Sequence, residues 1–104
     1  MKTIYKYVIP FSCYTLLTAM PRDAQILSVQ VQHDKDICIW ALVETDALND
    51  NNPPMQVRRF EAVRTGSEMP DGWDTATYLG TVQLCEGRLV WHVFEYADVM
   101  GRRA

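Results

Sequence analysis

The sequence predicts a small all-β domain, either an antiparallel barrel or a two-layer sandwich of about six to seven strands. Segments rich in strand-forming residues recur about every ten residues and are separated by turn-type residues. Within several of them, apolar and polar side chains alternate, as they do on a strand with one buried face. The chain has 104 residues, 48% of them hydrophobic, which is enough for one core and too little for two.

The first strand is predicted over residues 3–9. Alternation places Tyr5, Tyr7 and Ile9 on one face of this strand. Pro10 ends it, because proline has no N–H to donate to a strand ladder.

A hairpin is predicted from residues 24–32 and 36–44, joined by a tight turn at His33, Asp34 and Lys35. The earlier segment alternates between apolar and polar residues, so we expect one buried face and one exposed face. The later segment is apolar on both faces. It is therefore expected to be a central strand of its sheet.

Four further strands complete the prediction. A short strand is expected over residues 13–19, and a strand over 55–65 is expected at a sheet edge, because charged side chains on an edge discourage further pairing. Segments 77–85 and 88–96 are expected to form a second hairpin through a two-residue Glu86-Gly87 turn. The core is expected to span residues 2–96, and residues 97–104 to form a tail or a short helical turn.

Composition and charge exclude several classes of function. Thirteen acidic and ten basic residues give a net charge of −3, with no basic stripe, so nucleic-acid binding is not expected. The three cysteines show neither disulfide-framework nor zinc-site spacing, which favours a reducing compartment and predicts no metal. The apolar run at 8–20 is interrupted by polar residues and is read as fold, not as a secretory leader. No stretch is long enough to cross a bilayer, and no cofactor is predicted.

The sequence lacks the residues of a recognisable active site, so we expect a non-enzymatic protein. Only His33 and His92 offer an imidazole base, and neither has an evident nucleophile or acid partner. His92 lies inside a strand pattern, which is typical of a hydrogen-bonded sheet histidine. The isolated glycines form no phosphate-binding loop.

Two long loops, 44–54 and 66–74, are therefore the predicted partner-binding surface. They combine carboxylates with one tryptophan, a residue type enriched at binding hot spots. An alternative is that both loops are solvated connections with the tryptophan folded back onto the core. The predicted partner-binding residues are Glu44, Asp46, Asp50, Glu68, Asp71, Trp73 and Asp74.

Six motifs resemble those of a family of small uncharacterised proteins from bacteriophages and prophages. They are KTIYKY at 2–7, MPRDAQILSVQVQ at 20–32, IWALVE at 39–44, RTG at 64–66, YLGTVQ at 78–83 and LVWHVFE at 89–95. Loop 44–54 and tail 97–104 depart from the family pattern. The resemblance implies no residue roles. It implies a phage accessory protein, acting in the cytoplasm of the infected bacterium, that binds a host protein and inhibits an antiviral defence system in the manner of an anti-CRISPR protein.

Two alternative functions remain open at the level of sequence. One is a β-barrel that sequesters a small ligand such as a nucleotide signal, with Tyr5, Tyr7, Trp91 and His92 lining its pocket. The other is a virion or scaffold component, which predicts an exposed apolar patch and self-association.

Overall fold

The computed structural model describes residues 1–46 and 53–96, and these residues form seven strands in two antiparallel sheets. The all-β prediction is confirmed, in its sandwich form. One short 3-10 turn, Trp73–Thr75, is the helical element of the described residues. The strands are β1 (Lys2–Ile9), β2 (Thr15–Pro21), β3 (Gln25–Gln32), β4 (Asp36–Glu44), β5 (Met55–Arg64), β6 (Thr77–Leu84) and β7 (Leu89–Tyr96).

Sheet 1 has the strand order β1-β4-β3, so β4 is central, as its two apolar faces predicted. Its inner face is fully buried, with the side chains of Ile37, Ile39 and Val43 at most 1% exposed. On the outer face Cys38 is also buried, and Trp40 is half-buried. Central position thus protects both faces of β4, although unequally.

The predicted hairpin between β3 and β4 is confirmed. His33 and Asp34 adopt positive φ values of 58° and 52°, and the Lys35 N–H donates to the Gln32 carbonyl at 3.1 Å. Left-handed residues at a hairpin turn match the right-handed twist of the strands on either side. A β-bulge between Ile26 and Ser28 interrupts the register of β3.

Sheet 2 has the order β2-β5-β7-β6, which corrects the prediction that residues 55–65 form an edge strand. β5 lies between two strands, and three of its four charged side chains, Arg58, Arg59 and Glu61, are paired. The Arg58 guanidinium faces the interior and donates to Glu95 at 2.6 Å and 2.7 Å, while Arg59 is ion-paired with Glu61. Charge marks an edge only when the charge has no partner.

Several strand boundaries also differ from the prediction. β2 begins at Thr15 instead of Cys13, because Tyr14 has a left-handed φ of 56° and its N–H closes a turn onto the Pro10 carbonyl. The β6–β7 connection has four residues, not two. Cys85, Glu86 and Gly87 all have positive φ in it, so β6 ends one residue sooner and β7 begins one residue later than their sequence pattern indicated.

The core lies between the two sheets. Phe60, Met20 and Val93 from sheet 2 pack with the inner face of β4. Along one side β3 and β6 approach so closely that a Cβ on Gly80 would lie 3.6 Å from the Cβ of Val29. Within residues 1–46 and 53–96, no helix is long and apolar enough to cross a membrane.

Candidate functional site

The connection between β5 and β6 crosses the outer face of sheet 2. β5 and β6 lie on either side of β7 and run parallel to each other, because each is antiparallel to β7. Residues 65–76 must therefore return along the length of the sheet before β6 can begin. A loop with this path presents its outward side chains from a rigid sheet.

Three side chains of sheet 2 form the floor under this loop. The Tyr96 ring is 4% exposed, and the Arg59 guanidinium lies 4.8 Å from its centroid. Glu61 accepts hydrogen bonds from Arg59 at 2.7 Å and from the Thr15 hydroxyl at 2.8 Å. The Tyr96 hydroxyl donates to the Pro70 carbonyl at 3.3 Å, and burial raises the pKa of this phenol. The loop is thereby attached to the sheet.

The tip of the loop is a 3-10 turn that displays Trp73. Gly72 precedes the turn with a φ of +90°, and a Cβ at this position would lie 3.6 Å from the Tyr96 ring. The N–H groups of Thr75 and Ala76 donate to the carbonyls of Gly72 and Trp73, each at 3.1 Å. The Trp73 side chain is 58% exposed. It points into solvent and is not folded back onto the core.

The predicted partner-binding residues fall into two groups. Glu68, Asp71 and Asp74 are exposed on the same loop as Trp73. Glu44 and Asp46 lie at the end of sheet 1 and form ion pairs with the Met1 ammonium. Asp50 lies outside the described residues.

Glu44 and Asp46 line a depression of about 430 Å³ together with Lys2, Arg22 and Asp23. Hydrogen bonding from the ammonium lowers the pKa of Glu44 below its ordinary value. Both carboxylates thus already have a cationic partner within the chain. The three carboxylates beside Trp73 are therefore better placed to attract a cationic partner.

The residues predicted to line a ligand pocket are not brought together. Tyr5 and Tyr7 lie on the inner face of β1, with their ring centroids 6.5 Å apart. Trp91 faces the interior and stacks on Tyr14 at 4.1 Å. His92 is its neighbour on β7 and therefore points to the opposite face of the sheet.

His92 belongs to a polar chain on the outer face of sheet 2 that sequence reasoning did not identify. Its Nε2 lies 2.7 Å from the Thr65 hydroxyl, and its Nδ1 lies 3.0 Å from the Thr81 hydroxyl. Thr81 in turn contacts the hydroxyl of Tyr78, whose ring packs edge-on against Phe94. Alternation alone could not place Tyr78 on this face, because a bulge between Tyr78 and Gly80 shifts the register of β6.

Comparison with protein families identifies a match that covers nearly the whole chain. A family profile described as a domain of unknown function (DUF7352) matches residues 1–102. The chain belongs to this family. The DUF7352 match includes both sheets and the loop that presents Trp73. No curated protein and no solved structure matches the DUF7352 chain significantly.

The described part of the DUF7352 chain, residues 1–46 and 53–96, holds no group of three His, Cys, Asp or Glu side chains arranged to bind a metal ion. His33 and Asp34 form part of the β3–β4 turn, and both are exposed. On loop 66–74, Trp73 is the largest side chain exposed for contact with a partner.

Proposed function

We propose that this protein is a non-enzymatic accessory factor that binds a host protein complex through loop 66–74 and inhibits it. The observation that supports the proposal most directly is the exposure of Trp73 at 58% on a loop attached to the sheet. Buried tryptophans in protein interfaces are among the residues that contribute most to affinity. A tryptophan held in solvent by a fixed turn suits that use.

The attachment of the loop reduces the cost of binding. The Pro70 carbonyl is fixed by the Tyr96 hydroxyl, and the backbone hydrogen bonds of the 3-10 turn fix the position of Trp73. Ordering a flexible loop on binding costs conformational entropy, and this loop has already lost most of that freedom in folding. More of the contact energy of the indole ring is then available as affinity.

The charge around Trp73 indicates the chemistry of the partner. Glu68, Asp71 and Asp74 are exposed beside it, and the chain has a net charge of −3. An acidic surface around an aromatic side chain complements a basic surface, and the opposite charges accelerate association. Basic channels that hold nucleic acid are surfaces of this kind. We therefore infer that the loop occupies the nucleic-acid channel of the host complex.

The resemblance to bacteriophage and prophage proteins supports a bacterial antiviral defence complex as the target. Inhibition is then stoichiometric and takes place in the cytoplasm of the infected cell. This protein would resemble an anti-CRISPR protein in mode of action, with affinity alone determining how much of the complex is blocked.

A pair of alanine variants tests the proposal. Trp73→Ala removes the exposed indole, and Ile4→Ala is the matched control, because Ile4 is 55% exposed on the other sheet. Each protein is expressed in a bacterial strain that carries an active defence system, and phage plating efficiency is measured. We expect wild type and Ile4→Ala to restore plating and Trp73→Ala to lose that effect. Affinity for the captured complex should fall about 30-fold in Trp73→Ala.

Two results would contradict the proposal. The first is that wild-type protein restores plating in none of a panel of strains that each carry a different defence system. The second is that Trp73→Ala acts as strongly as wild type while Ile4→Ala does not. The second result would move the contact surface to sheet 1.

A further inference from the structure

Three of the edge strands in the described structure carry features that discourage pairing with another strand. β1 has Lys2 and Lys6 on its outer face. Bulges interrupt the register of β3 and of β6. Charges and bulges of this kind are how sheet proteins avoid edge-to-edge association.

β2 has none of these features. Its sequence, TLLTAMP, contains no charged residue, and its register with β5 runs without a shift from Thr15 opposite Glu61 to Pro21 opposite Met55. Proline occurs only at its last position. Leu17 is 55% exposed, and Ala19 is exposed beside it. Within residues 1–46 and 53–96, β2 is therefore a regular, uncharged sheet edge with exposed apolar side chains.

The direction of the backbone groups of β2 follows from two hydrogen bonds at its ends. The Ala62 N–H donates to the Tyr14 carbonyl, and the Arg22 N–H donates to the Pro54 carbonyl. Even-numbered residues of this segment thus bond to β5. Because consecutive residues of a strand direct their backbone groups to opposite sides, Leu17 and Ala19 direct theirs to the open edge.

We propose that β2 pairs with β2 of a second copy of the chain, so that sheet 2 continues across a two-fold axis. With Thr18 on the axis, Leu17 lies opposite Ala19 of the second copy, and these two residues exchange both backbone hydrogen bonds. Thr18 then faces Thr18 of the second copy in a non-hydrogen-bonded pair, where side chains are closest. Thr–Thr is a favourable cross-strand pair.

Self-complementarity is the reason for choosing a second copy. A two-fold axis places identical strands side by side, which brings like charges together in any strand that carries charge near the axis. β2 carries none. The flanking charges also avoid each other in this register, because Arg22 lies opposite Tyr14 and Asp23 lies opposite Cys13. The pairing would also cover part of an exposed apolar surface formed by Leu17, Ala19 and the adjacent Val57.

This pairing is independent of Trp73, so it can fail while the proposed function holds. The contact is limited to one strand edge and the side chains next to it, which predicts a weak dimer with a dissociation constant on the order of 0.1 mM. Sedimentation equilibrium of the full chain measures it directly. The charge variant is Ala19→Lys, and its control is Ile4→Lys, which makes the same charge change on sheet 1.

We expect Ala19→Lys to raise the dissociation constant about tenfold or more and Ile4→Lys to leave it within about twofold. A wild-type protein that remains monomeric at about 1 mM would overturn the proposal. So would a dimer that Ala19→Lys does not weaken, since its interface would lie elsewhere.

Disulfide trapping provides a second test that does not depend on dimer strength. In a Cys13→Ser, Cys85→Ser background, Thr18→Cys places two thiols across the axis with Cα atoms about 4.5 Å apart, within disulfide range. Ala19→Cys is the control, because its counterpart lies on the diagonal at about 7–8 Å. Mild oxidation should cross-link Thr18→Cys and leave Ala19→Cys monomeric. Equal cross-linking of both, or of neither, would exclude this register.

Discussion

Arg58 is a charged residue that holds the two sheets together. Its side chain is 15% exposed and that of Glu95 is 20% exposed. The two Arg58–Glu95 hydrogen bonds join β5 to β7, and the Arg58 Nη1 donates to the Ala24 carbonyl at 2.6 Å, which links sheet 2 to the segment that begins β3. Hydrogen bonding to Glu95 raises the pKa of Arg58. These three hydrogen bonds thus replace those that the guanidinium would make to water.

Breaking this pair from one side should destabilise the protein. Arg58→Met leaves the Glu95 carboxylate without its cation in a site mostly closed to water, and we expect the free energy of unfolding to fall by about 3 kcal/mol. The double variant Arg58→Met, Glu95→Leu removes the unpaired charge and should recover most of that loss. Urea unfolding measures both values.

Arg88→Met is the control for loss of a basic residue, because Arg88 and Glu86 form an ion pair that is about 80% exposed. We expect it to change stability by less than about 0.5 kcal/mol. If the double variant were as unstable as Arg58→Met, the loss would come from packing of the arginine stem and not from the unpaired carboxylate.

The role of Arg58 could not be predicted from its sequence position. Alternation assigns Arg58 and Phe60 to one face of β5, which was an indication that this arginine faces the core. The presence of Glu95 on the same face depends on the pairing of Phe60 with Glu95, and this register is a property of the folded sheet. Without it, charges at positions 58, 59, 61 and 64 resemble those of an exposed edge.

Among the elements, the β3–β4 hairpin has a turn with two consecutive non-glycine residues in the left-handed region. His33 and Asp34 both have positive φ, although a side chain in that region costs about 1–2 kcal/mol for most residues. We expect His33→Asn with Asp34→Gly to raise the free energy of unfolding by about 1 kcal/mol, because Asn-Gly adopts these angles readily. Thermal unfolding measures the change.

Lys35→Gly is the matched control for this turn. Lys35 is not among the residues with positive φ, so glycine there adds only unfolded-state entropy and should lower stability by about 0.5–1 kcal/mol. A gain from Lys35→Gly together with none from the Asn-Gly variant would mean that backbone strain lies elsewhere in the hairpin.

The hairpins were predictable because their information is local. Alternation in residues 25–32, the polar turn and the apolar run of β4 are all contained in one continuous stretch of sequence. The four-residue β6–β7 turn was predicted too short. Gly87 indicated a turn, but nothing in the sequence indicated that Cys85 and Glu86 are also left-handed. Few residue types other than glycine allow a positive φ to be predicted from sequence.

At the scale of the whole molecule, the strand orders predict where the backbone opens least often. β4 is central in sheet 1, and β5 and β7 are central in sheet 2. Native-state amide hydrogen exchange, followed by NMR, should therefore be slowest in these three strands. In dilute protein, the amides of Leu17 and Ala19 should exchange quickly. Fast exchange throughout β5 would contradict the observed strand order.

The candidate site was only partly predictable, because strand order is not contained in local sequence. Loop 66–74 and Trp73 were identified from composition, and the exposure of Trp73 was left open between two alternatives. The strand order β5-β7-β6 decides between them, because it sends the loop across Tyr96 and Arg59. Glu44 and Glu68 were predicted to share one binding surface because both lie in acidic loops. Sequence spacing does not show which end of which sheet each loop reaches.

The pairing of β1 with β4 and of β2 with β5 also has a consequence for the nascent chain. The paired residues are 28–46 positions apart, so at a synthesis rate of roughly 5–20 residues per second β1 and β2 wait about 1–9 s for their partners. β2, without a charge, is the segment with the least protection during that interval. Until β5 is synthesised, β2 is therefore an unpaired, uncharged strand of the kind that aggregates or binds chaperones.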